Sequence, residues 1–97
     1  MFVKQSPYKI NSGVAESVTT SAGQKTGLVK GGTYAISNAG AAIAYINTAN
    51  ATATAADLPI AVGATLMPVL LPSGTINHKG VASTTLNIVK IEADGTA

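Results

Sequence analysis

The sequence predicts an all-β fold: a single-domain antiparallel β-sandwich, jelly-roll-like, with an extended N-terminal arm. Three observations predict it. Ten glycines and four prolines punctuate the 97 residues at short intervals, leaving segments too short for ordinary helices. Several of those segments alternate apolar and polar residues with the two-residue period of a strand. The one alanine-rich run, Thr48–Asp57, offers no large apolar residue for a helix to bury, so it reads as an extended loop or edge segment. The length fits one domain, divided into an arm over 1–13, a sandwich over 14–92 and a polar tail over 93–97.

Along the chain, Phe2–Ile10 is extended, because Pro7 excludes Ser6 from the helical region. Val14–Thr20 sets Val14, Glu16 and Val18 on one face of an outer strand. Leu28–Lys30 starts another, turned or bulged at Gly31-Gly32. Thr33–Asn38 places Tyr34 and Ile36 on one face. Ile43–Asn47 carries Ile43 and Tyr45 on one side, with Ala44 and Ile46 on the other. Asn38-Ala39-Gly40 between them reads as a tight turn, making the two segments a hairpin with both tyrosines packed in the core. Leu58–Val62 is a strand stopped by Gly63, and Thr65–Leu71 is an apolar strand that Pro68 marks as an edge or a bulge. Pro72-Ser73-Gly74 is a turn, Thr75–Lys79 runs to Gly80, and Ser83–Glu92 is a strand partly covered on both faces.

Composition narrows the function. Charged residues are 10% of the chain, against about 25% in an average soluble domain, so Thr, Ser, Asn, Gly and Ala must cover the surface. Such a surface suits a subunit packed against others. The basic residues are six scattered lysines, which form no stripe for a phosphate backbone, and nucleic acid is not an expected partner. Met1–Ile10 has no apolar h-region of a signal peptide, and Leu66–Leu71 is too short to span a bilayer, so no membrane partner is expected. Without cysteine there are no disulfides or thiolate metal ligands.

The inventory for catalysis is one histidine and four acids. Ser73, His78 and Asp57 supply the residue types of a hydrolytic triad. The nucleophile-elbow pattern is missing, however, and a Pro-Ser-Gly turn accounts for Ser73. A zinc site needs three or four ligands where this chain has a lone His78, which reads as a surface or strand-end residue. No catalytic residue, metal site or cofactor is therefore expected. Phe2, Val3, Tyr8 and Ile10 have no evident place in so small a core. They read as partner contacts, since extended arms commonly add strands or anchors to a neighbour. The plain alternative is a first strand docked on its own sheet.

The run from Ile36-Ser37-Asn38-Ala39-Gly40 through Ala44-Tyr45-Ile46, Asp57-Leu58-Pro59-Ile60, Gly63 and Thr85-Leu86-Asn87-Ile88-Val89 resembles small virion proteins of tailed bacteriophages. Those are β-sandwich head decoration or cement proteins, often trimeric, that sit on the capsid lattice. The resemblance covers roughly residues 33–95 and lies in short strands and small residues, a texture shared with phage tail and fibre modules. It implies a non-enzymatic subunit assembled in the host cytoplasm, a homo-oligomer on the capsid surface. Its partner would be the major capsid protein, and bound copies would favour the intact shell by mass action. The alternative is a tail- or fibre-associated module that binds host-surface carbohydrate through Tyr side chains and Asn/Thr loops.

Overall fold

The structure, a computed structural model, describes residues 8–93. Eight strands follow in order: β1 Tyr8–Val18, β2 Gly23–Lys25, β3 Gly32–Asn38, β4 Ala44–Asn47, β5 Leu58–Ile60, β6 Thr65–Leu71, β7 Ile76–Gly80 and β8 Thr84–Ala93. They form two four-stranded sheets, ordered β1-β8-β3-β6 and β2-β7-β4-β5. Every pairing is antiparallel. The first four strands pair with the last four in reverse order, β1 with β8, β2 with β7, β3 with β6 and β4 with β5. That is one long hairpin rolled over into two sheets, the jelly-roll arrangement.

Alternation places the core. In β3 the inward residues Tyr34, Ile36 and Asn38 are buried, and β4 buries Ala44 and Ile46 in the same manner. Val18, Ile60, Leu71, Ile76, Leu86 and Ile88 complete the cluster between the sheets. Each fully buried aliphatic side chain contributes about 1.5–3 kcal/mol. The sheet edges are blunted. β1 carries a bulge between Ile10 and Gly13, and β6 holds Pro68 beside a register shift. β2 and β5 are only three residues long. Bulges, proline and shortness all discourage strand addition at an edge.

The structure corrects several expectations. Thr33–Asn38 and Ile43–Asn47 do not form a hairpin: β3 and β4 lie in different sheets, and the chain between them crosses from one to the other. The apparent turn residue Asn38 is instead a buried bracket for that crossing. Tyr34 is in the core as expected, with its hydroxyl accepting from the Val29 amide at 2.9 Å. Tyr45 has the opposite parity to Ile46 and sits on the outer side of its sheet. Leu28–Lys30 is not a strand; it turns, with the Gly32 amide donating to the Val29 carbonyl and Gly31 at φ +76. The short β2 had no apolar signal. Gly23 is required there, because a Cβ would stand 2.9 Å from His78 Cε1. Ser83–Glu92 corresponds to the strand β8, as expected; its inward Leu86 and Ile88 are buried while its outward side runs from exposed Asn87 to buried Ile91, and β1 and β3 pair with its two edges.

The first described part of the arm, Tyr8–Gly13, is the leading half of β1 and pairs with Val89–Ala93 of β8. Tyr8 and Ile10 therefore lie in a strand docked on the protein's own sheet. Phe2 and Val3 lie outside the described residues, as does the tail beyond Ala93.

Candidate functional site

Register fixes which residues share the outer face of the β1-β8-β3-β6 sheet. Ile91 pairs with both Ile10 and Thr33, and Thr33 pairs with Leu70, so Ile10, Ile91, Thr33 and Leu70 form one row across all four strands. Gly13, Val89 and Ala35 form the next row, and Ala15, Asn87, Ser37 and Thr65 the one after. Tyr8 extends the face beyond Ile10. No residue in these rows is charged. Ile10 is 72% exposed and Leu70 58%, at opposite margins of the first row, while Ile91 between them is buried. The face is kept flat by Gly13, where a Cβ would stand 2.6 Å from Val89 Cγ2. Of the four arm residues marked as partner contacts, Tyr8 and Ile10 thus stand on this face.

The other outer face is different. The β4–β5 loop, residues 48–57, is tied to it: Asn47 Nδ2 donates to the Ala51 carbonyl and to Asp57 Oδ2, and Asn77 Nδ2 donates to Asn47 Oδ1. Ala53 and Asn77 are buried. Thr48–Asp57 is thus an irregular loop, as its sequence predicted.

The polar residues considered for catalysis fall into separate networks. His78 is neither a surface nor a strand-end residue: it is 3% exposed within β7 and points into the sandwich. Its Nε2 meets Glu16 Oε2 at 2.8 Å, across 62 positions of sequence, while Nδ1 is buried with no partner. Glu16 was read as part of a strand face, but nothing marked it as this partner. Asp57 is engaged by Asn47 Nδ2 at 3.0 Å and by the Thr54 amide at 2.8 Å. These bonds, the Asn47 one foremost, hold its carboxyl below the usual value. Ser73 is an exposed turn residue. The three do not converge. Among the described residues no three His, Cys, Asp or Glu side chains gather as a metal site. At the far end of β8, Lys90 Nζ donates to Glu92 Oε1 at 3.2 Å, and this contact with the nearby lysine charge lowers the Glu92 carboxyl.

Comparison with protein-family models, with curated proteins and with solved structures finds no match to this chain.

Proposed function

We propose that this protein is a non-enzymatic structural subunit that packs against a protein lattice, as a head decoration or cement subunit of a phage virion. The observation that carries the reading is the uncharged outer face of the β1-β8-β3-β6 sheet, with Tyr8, Ile10 and Leu70 exposed on it. The centres of protein interfaces are depleted in charge and rich in aromatic and aliphatic groups, whereas a free surface is not. Blunted edges favour contact through a face over strand addition. The partner is the major capsid protein, met on the capsid surface by a homo-oligomer, with trimers suggested by the resemblance above. Copies bound across capsomers would then stabilise the shell through mass action.

The carbohydrate-binding alternative has less support. Tyr34 is in the core, and Tyr8 and Tyr45 stand on outer faces of different sheets, so no two tyrosines make one stacking platform.

The test is the double variant Ile10→Glu/Leu70→Glu, followed by its copy number on purified particles. Both side chains are exposed, so melting should barely change while attachment is lost. Wild-type copy number near that of the shell protein, with the variant absent, is the expected result. Undiminished attachment of the variant would overturn the face as the contact.

A further inference from the structure

The sandwich does not close along the side formed by β5 and β6. These strands are edges of opposite sheets, and their inward residues Leu58, Leu66 and Val69 face each other without filling the gap. An open groove of about 420 Å³ remains, floored by the core residue Ile46 and reaching Thr48 and Asp57 at one end. Leu58 is 56% exposed although it points inward, beside buried Ile60 of the same parity. Unfilled apolar surface at a core position costs dispersion contacts and exposes hydrocarbon to water, so a fitted occupant gains both back.

Charge indicates which occupant. Among the described residues Glu16 pairs with His78 and Glu92 with Lys90, leaving Asp57 without a cationic partner. Both hydrogen bonds to Asp57 arrive at Oδ2, so Oδ1 accepts none among the described residues. The same bonds keep the carboxylate ionised at neutral pH. An aliphatic trough with an uncompensated carboxylate at its end matches a side chain that has a four-carbon stem and an ammonium tip.

We propose that the groove between β5 and β6 receives a lysine side chain presented by a partner protein, its stem against Leu58, Leu66 and Val69 and its ammonium on Asp57. The site is distinct from the docking face, since Leu66 and Val69 pair with the inward residues Ile36 and Tyr34, whereas Thr65 and Leu70 of the same strand pair with the outward Ser37 and Thr33.

The experiment is an NMR titration of the full chain, following backbone amides, with Nα-acetyl-lysine methylamide, its norleucine analogue and n-butylammonium as probes. The lysine probe should shift Thr48, Ala56, Asp57 and Leu58 saturably. It should bind about fivefold tighter than norleucine, the upper end for a part-exposed ion pair, with the difference shrinking in high salt. Asp57→Asn should erase the preference for lysine. Because Asp57 also holds its loop, Leu58→Trp serves as the second variant: it fills the groove without touching the bonds to Asn47 and Thr54, and should abolish the shifts. Absence of saturable shifts would overturn the site, and equal binding of lysine and norleucine would overturn the role of Asp57. Equal or tighter binding of n-butylammonium would assign the groove to free amines and overturn the protein partner.

Discussion

Thr84 Oγ1 donates a 2.7 Å hydrogen bond to Asn38 Oδ1 inside the sandwich, joining the last residue of β3 to the first of β8. Asn38 is 1% exposed, and every hydrogen-bonding position of its amide is used. Nδ2 donates to the Ala42 carbonyl at 2.7 Å and the Ile60 carbonyl at 2.9 Å, while Oδ1 also accepts from the Gly40 amide at 3.1 Å. Its backbone is bound as well, donating to the Ala64 carbonyl and accepting from the Gly63 amide. One side chain thus joins the crossing from β3 to β4, the end of β5 and the start of β8. A buried network of this kind is stable only when complete.

Asn38→Ala should therefore cost about 3–5 kcal/mol, since it leaves two carbonyls, an amide and a hydroxyl without partners. Asn38→Asp should be no better, because a carboxylate would face the Ala42 and Ile60 carbonyls where two N–H groups now donate. Thr84→Val, which removes one donor to Asn38 Oδ1 and keeps the shape, should cost about 1–2 kcal/mol. Urea denaturation of the three variants checks the order. Equal losses for Asn38→Ala and Thr84→Val would mean that the carbonyl contacts carry nothing.

Gly40→Ala tests the same junction sterically. A Cβ there would collide with Thr84 Oγ1 and lie 2.5 Å from the Thr85 amide nitrogen and 2.7 Å from Thr84 Cα. Two of those atoms are backbone and cannot swing away. Gly40→Ala should lower the melting temperature, and adding Thr84→Ala should not restore it. Rescue by the second change would show that the hydroxyl alone was in the way.

The elements with dense alternation were legible in sequence: β3, β4, β6 and β8 follow directly from Tyr34/Ile36, Ala44/Ile46, Leu66–Leu71 and Leu86/Ile88. Their pairing was less so. Asn38-Ala39-Gly40 has the chemistry of a tight turn, and only long-range bonds to Ile60 and Thr84 reveal it as a crossing between sheets. β2 is a three-residue strand of Gly, Gln and Lys, held in place by β7 without local propensity. The placement of Tyr8 and Ile10 on an uncharged face could be suspected from composition. Locating the rest of that face required the registers of four strands. His78 was visible as the one histidine, but its pairing with Glu16 depends on the roll that stacks β1 over β7.

The Glu16–His78 pair predicts a non-additive double variant. Glu16→Ala leaves His78 with both ring nitrogens unpaired in the interior and should cost about 1–3 kcal/mol. Glu16→Met combined with His78→Leu removes the polar atoms from both sides and should cost less than Glu16→Ala alone, as replacement of buried pairs by apolar groups often does. Thermal melts of both variants decide it. A double variant less stable than the single one would show that the polar pair itself favours the fold.

Acid sensitivity should report on the β4–β5 loop. The Asp57 carboxyl is held below its ordinary value of 3.8 by Asn47 and the Thr54 amide, so the folded state binds a proton less readily than the unfolded chain. A group shifted down in this way adds stability that is present above the unfolded value and is lost as pH falls through the folded one. Below about pH 4 the wild type should therefore lose stability, and the amides of Thr54 and Ala51–Ala56 should exchange faster with solvent. Asp57→Asn cannot ionise and should remove this share of the acid slope, with the loop already loosened at neutral pH because its acceptor carries no charge. Hydrogen exchange at pH 6 and pH 3 distinguishes the two. A loop whose protection falls equally in wild type and Asp57→Asn would place the acid-labile contact elsewhere, with the Lys90–Glu92 pair, whose carboxyl is also shifted down, as the remaining candidate.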